Sequence, residues 1–129
     1  MRVLLVDDNA DFLAALSSFL SDNPGIEIVG RASSGCEAVE AVDIVRPDLI
    51  LMDVSMPLMN GLEATAIIKS RPDSPQVLML TLYDSPQYQE AALSAGADGF
   101  ILKSEVLNDL LPAIRTIASG GNDYGFSRE

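Results

Sequence analysis

Leu49-Ile50-Leu51-Met52-Asp53 is four consecutive apolar side chains closed by an acid. A strand wetted on one face alternates apolar with polar residues, so an unbroken apolar run of this length predicts a strand buried on both faces. Burial on both faces requires helices above and below a sheet, the layering of an α/β protein. Val3-Leu4-Leu5-Val6 repeats the pattern and also ends in acids, Asp7 and Asp8. Residues 77–80 and 99–102 read as two further strands, followed by Thr81 and Lys103. Ile26, Ile28 and Gly30 alternate with Glu27, Val29 and Arg31, which predicts a partly wetted strand at a sheet edge.

Helical patterns fill the intervals. Phe12, Ala15, Leu16, Phe19 and Leu20 fall at helical spacing, with Pro24-Gly25 as the stop. Ala38, Val39, Val42 and Val45 form a second stripe, closed by Arg46-Pro47. A third helix carries Leu62, Ile67 and Ile68, and a fourth, rich in small residues, runs around 88–95. The last places Leu107, Leu110, Leu111, Ile114 and Ile117 on one face. Five strands alternating with five helices predict a doubly wound parallel sheet in a single domain over residues 1–119, with a linker-like tail at 120–129.

Composition removes several classes of function. Acidic residues outnumber basic ones 19 to 8, a net charge of −11, which argues against direct binding to nucleic acid or an anionic membrane surface. The lone cysteine, Cys36, excludes an internal disulfide and a thiolate zinc cluster. The absence of histidine excludes Ser-His-Asp and Cys-His catalysis and histidine-ligated metals. No stretch approaches the ~18 apolar residues of a membrane span, and Asp7-Asp8 interrupt the first apolar run too early for a signal peptide. The expectation is a soluble, cytoplasmic protein.

Parallel strands all point one way, so the residues that end them meet along one edge, where ligands bind in open α/β sheets. Asp7, Asp8, Asp53, Thr81 and Lys103 all stand at such ends. Three converging carboxylates repel one another, and a divalent cation with hard oxygen ligands, magnesium, relieves that repulsion. Lys103 adds a compact positive charge and Thr81 a hydroxyl, a set suited to a carboxylate acting as nucleophile toward phosphorus. Blander readings stand beside these. Asp7 or Asp8 can cap the helix that follows, Thr81 and Lys103 can be ordinary strand residues, Phe100 can be core, and the methionines can fill gaps.

Asp7-Asp8, Asp53 within Leu51-Met52-Asp53-Val54-Ser55-Met56-Pro57-Leu58-Met59-Asn60-Gly61, Thr81 and Phe100-Ile101-Leu102-Lys103 together resemble the receiver domain of two-component response regulators. Ile28-Val29-Gly30-Arg31-Ala32-Ser33-Ser34-Gly35 and Ala95-Gly96-Ala97-Asp98-Gly99-Phe100 are similar to its LuxR/FixJ-type subfamily, whose members usually carry a C-terminal helix-turn-helix domain. The resemblance implies a flavodoxin-like sheet of order 2-1-3-4-5, and the wetted second strand agrees with an edge position. It implies that Asp53 accepts a phosphoryl group from a sensor histidine kinase, and that Asp7, Asp8, Asp53 and the backbone carbonyl of Ser55 hold Mg2+. Thr81 and Lys103 would contact the phosphoryl oxygens. Thr81 and Phe100 would act as the switch, reshaping the face made by the fourth helix, fifth strand and fifth helix. That face would act on an output domain, another protein partner or a second copy of the chain. The implied protein is a phosphoacceptor switch controlling transcription, not an enzyme. The alternative is a small Mg-dependent phosphohydrolase with an aspartate nucleophile. The hydrolases that use such a nucleophile place it after the first strand, with a second acid two residues on, a spacing that Asp7-Asp8-Asn9 lacks. Three positions depart from the receiver pattern: Ser104 where proline is common, Leu82 where a small residue is common, and Phe100 without a tyrosine hydroxyl.

Overall fold

A computed structural model describes residues 1–54, 59–82 and 85–121. The apolar runs become β1 (Arg2–Val6), β2 (Glu27–Ala32), β3 (Leu49–Asp53), β4 (Gln76–Thr81) and β5 (Gly99–Leu102). They form one parallel sheet of order β2-β1-β3-β4-β5, with β2 at an edge and all its residues but Ala32 at least partly exposed. The helices are α1 (Ala10–Ser21), α2 (Gly35–Val45), α3 (Gly61–Lys69), α4 (Pro86–Ala95) and α5 (Val106–Ala118), the last entered through a single 3-10 turn, Lys103–Glu105. Among the described residues no helix is long and apolar enough to cross a membrane.

Strand side chains alternate between two cores. Val3, Leu5, Leu49, Leu51, Leu78, Leu80 and Ile101 face α1 and α5, where Leu13, Leu16, Leu20, Leu110, Ile114 and Ile117 meet them. Leu4, Val6, Ile50, Met52, Val77, Met79 and Phe100 face α2, α3 and α4, which supply Ala38, Val42, Ala64, Ile68 and Ala92. Burial of both sheet faces explains the unbroken apolar runs of β1 and β3.

Local chemistry sets the helix ends. Asn9, Ser34 and Asn60 cap α1, α2 and α3, each side chain accepting a backbone N–H from the first turn. Asn9 thus takes the capping role considered for Asp7 or Asp8. The helix α1 closes three residues ahead of Pro24, where Asn23 Nδ2 donates to the carbonyls of Phe19 and Leu20. Gly61 opens α3 against the end of β3; a Cβ there would collide with the backbone carbonyl of Asp53, so only glycine fits.

Three inward assignments are corrected. In α1 Leu13 is buried alongside Leu16 and Leu20, while Ala15 is exposed. In α3, Ile67 is 38% exposed and Ala64, Thr65 and Ile68 take the interior. In α5 Leu107 is 77% exposed and Val106 is buried instead. The face of α5 runs through Val106, Leu110, Ala113, Ile114 and Ile117, and Leu107 falls one residue outside it.

Candidate functional site

The carboxyl ends of β1, β3, β4 and β5 place their terminal residues around one crevice of about 190 Å3. Asp7 follows β1, Asp53 is the last residue of β3, Thr81 is the last of β4, and Lys103 opens the turn after β5. Asn9 and Leu82 complete the lining with Asp8. A larger concavity, about 450 Å3, lies at the opposite edge among Val42, Arg46, Pro47, Arg71 and Pro75, away from every converging acid.

Asp7 is nearly inaccessible, at 1% exposure. Its Oδ1 accepts the Asn9 N–H at 2.9 Å and its Oδ2 accepts from Lys103 Nζ at 2.6 Å. The same ammonium lies 3.3 Å from Asp53 Oδ1. Asp8 is exposed at the mouth, and one carboxylate oxygen from each of Asp7, Asp8 and Asp53 falls within 4.8 Å of the others. Among the described residues, three carboxylates therefore cluster in the crevice, and one ammonium pairs with two of them, Asp7 and Asp53. Burial and the adjacent Asp7 charge push the Asp53 carboxyl up to about 6, against the opposing pull of Lys103. For Lys103, burial acts downward, but the hydrogen bond to Asp7 and the charges of Asp53 and Asp7 outweigh it and hold the ammonium above its usual 10.5.

An all-oxygen cluster with an excess of negative charge fits a magnesium ion, which takes one or two protein carboxylates and keeps several waters. Ser55, whose backbone carbonyl the resemblance adds to this set, lies outside the described residues. Thr81 is buried at the crevice wall, and Leu82 stands at its rim, 70% exposed. Phe100 is not a crevice residue. It pairs with Met79 across β4 and β5 and is buried in the layer under α2, α3 and α4.

Two contributors escape a reading by motif. Asn9 shapes the crevice by capping α1 and donating to Asp7. Phe12, which helical spacing assigns to the core, also places its ring centroid 4.5 Å from Lys103 Nζ. The available signal for Phe12 was its position in the first turn after the acid pair.

Comparison with known proteins identifies relatives of the whole fold. The response regulator receiver domain matches residues 3–115. The response regulator protein VraR of Staphylococcus aureus is 41% identical over 120 residues, covering 93% of this chain and 57% of the relative. The transcriptional regulatory protein DegU of Brevibacillus brevis is 35% identical over 121 residues, covering 94% and 51%. The chain thus spans about half the length of these curated relatives. A crystal structure of a LuxR-family two-component response regulator from Aurantimonas superposes with a TM-score of 0.89 at 29% identity, covering 95% of this chain and 87% of that one. With its sheet order, its strand-end acids and lysine, and these matches, the chain belongs to the response regulator receiver domains, in their LuxR/FixJ-type branch.

Proposed function

We propose that Asp53 accepts a phosphoryl group from the phosphohistidine of a sensor histidine kinase, with Asp7, Asp8 and Asp53 holding Mg2+. The observation that carries this reading is the shared ammonium: Lys103 lies 2.6 Å from Asp7 and 3.3 Å from Asp53 in a crevice with three carboxylates. An Asp53 oxygen attacks phosphorus, the P–N bond breaks, and its electron pair leaves on the imidazole. Attack needs the ionised carboxylate, and a value of about 6 leaves Asp53 ionised above neutrality. Lys103 and the Thr81 hydroxyl can each donate to a phosphoryl oxygen. Magnesium, when bound, neutralises charge on the group in transfer. The family adds the Ser55 carbonyl to its ligands.

Thr81 and Phe100 form the proposed switch. Phosphorylation adds about two negative charges and strong acceptors at Asp53. Thr81 moves toward them, and Phe100, packed beside Met79, repacks in the space released. The face of α4, β5 and α5 then engages a protein: an output domain, a separate partner or a second copy. With the chain at −11, that face suits a protein better than DNA. Residues 1–119 act as the receiver and 120–129 as the linker toward a DNA-binding output through which transcription is controlled. The chain assists its own phosphotransfer and dephosphorylation and turns over no separate substrate.

The test is intact-mass measurement after incubation with acetyl phosphate and Mg2+. A single phosphoryl adduct is expected, absent in Asp53→Asn and in chelator. Undiminished labelling of that variant overturns the assignment.

A further inference from the structure

Lys103 has neighbours of two kinds, carboxylates and an aromatic ring. Its ammonium sits between Asp7 Oδ2 and Asp53 Oδ1, with the Phe12 ring centroid 4.5 Å away. The lysine enters from the turn after β5 and the ring from the first turn of α1, so the fold, rather than chain proximity, brings them together. Phe12 lies beside the inward stripe Leu13, Leu16 and Leu20 of α1 and is only partly buried against the core. For that packing an aliphatic side chain would serve. An ammonium over an aromatic ring, within about 6 Å of its centroid, is drawn by the ring quadrupole, an attraction that grows as water is removed. The Lys103 side chain is only 12% exposed.

We propose that Phe12 is a positioning residue whose ring face holds the Lys103 ammonium in the crevice beside Asp7 and Asp53. The ring supplies attraction without a formal charge or a hydrogen-bond acceptor. It therefore confines the ammonium without competing with the carboxylates for its protons. When a phosphoryl group arrives at Asp53, the ammonium is already in place to meet it. This last clause rests on the proposed phosphoacceptor role; the ring contact itself does not.

The experiment uses the whole chain with Phe12→Tyr, Phe12→Leu and pentafluorophenylalanine incorporated at position 12, which nearly keeps ring size and reverses the polarity of the face. The first readout, independent of phosphorylation, is NMR of the Lys103 side chain. Its ε-methylene protons should be shifted upfield by the ring current in the natural protein and lose that shift in Phe12→Leu. The second is the rate of labelling by acetyl phosphate at saturating Mg2+, with melting temperature and Mg2+ affinity measured alongside. Phe12→Tyr should stay within about twofold, whereas Phe12→Leu and the fluorinated ring should slow labelling on the order of tenfold, chiefly in the maximal rate. Ordinary Lys103 proton shifts in the natural protein overturn the contact. A fluorinated ring as fast as the natural one, or a flat rate across the series, overturns the positioning role. If the natural protein is never labelled at Asp53, the phosphoacceptor reading fails, and the Lys103 shifts still decide the ring contact.

Discussion

Two lysine–aspartate contacts occupy opposite edges of the sheet, and they differ in charge balance. At the amino edge Lys69, ending α3, meets Asp98 at 2.9 Å. The same carboxylate oxygen accepts the Val77 N–H at 2.9 Å, and Lys69 also donates to the Pro75 carbonyl at 3.2 Å. One cation and one anion close on each other, clasping α3 to the starts of β4 and β5. At the carboxyl edge Lys103 faces Asp7 and Asp53, with Asp8 beside them. Negative charge is left over there. The first contact is complete and holds the fold; the second is incomplete and can take a ligand. The contrast teaches that the number of ion pairs says less about a site than its unbalanced charge.

Removing an acid should therefore have opposite signs at the two edges. The largest effect is expected from Asp98→Ala, which strands a mostly buried ammonium and should lower unfolding free energy by about 3 kcal/mol in denaturant melts. A loss under about 1 kcal/mol would show water replacing the clasp.

Asp53→Asn should instead raise the stability of chelator-treated protein, by about 2 kcal/mol at pH 7.5. The sign follows from linkage. Asp53 titrates at about 6 when folded, against an ordinary value of 3.8, so between these values the folded chain holds a proton that the unfolded chain has lost. Its contribution falls as pH rises through that window. The advantage of Asp53→Asn should be absent near pH 4 and fully open by about pH 7. A difference that does not change with pH would mean that shape, not charge, separates the two proteins.

Asp8→Ala sharpens the contrast further, since Asp8 is exposed and contributes charge without packing. Mg2+ should raise the melting temperature by binding only the folded chain, and this variant should lose most of that gain. Its metal-free melting temperature should equal or exceed that of the natural protein; a clear drop would return Asp8 to a structural role. The smallest effect on stability is expected from Leu82→Ala, within about 0.5 kcal/mol, because the side chain is largely exposed. Gain and loss of the phosphoryl group should both quicken, by roughly two- to fivefold, if the isobutyl group shields the crevice. Unchanged hydrolysis would place that side chain out of the way.

The sheet was legible because burial on both faces leaves residues 3–6 and 49–52 no polar positions, and an acid after each run marks where the strand stops. The strand-end residues were legible because parallel strands bring their ends together whatever lies between. Phase was less legible. Val106 and Leu107 both lie at helical spacing from Leu110 and Ile114, so only the entry through the 3-10 turn decides which of them faces inward. The cap at Asn9 was hidden by two neighbouring acids equally able to cap. The Phe12–Lys103 contact joins the two ends of the domain and depends on the turn after β5, which no local pattern announces.

The two layers beside the sheet are made of different material. Under α1 and α5 the filling is almost all leucine, isoleucine and valine, while under α2, α3 and α4 branched residues such as Ile50 and Ile68 share the space with Met52, Met79, Ala38, Ala64, Ala92 and Ala97 around Phe100. Branched aliphatic side chains interlock in few rotamers; an unbranched thioether among methyl groups rearranges easily. Mechanically, a stiff plate is bonded to a compliant one through a shared sheet. Hydrostatic pressure should compress the methionine–alanine layer first, and a displacement imposed at the strand ends should be absorbed more on that side than beneath α1. On this reading the direction in which the molecule yields is set by side-chain stiffness rather than by a hinge.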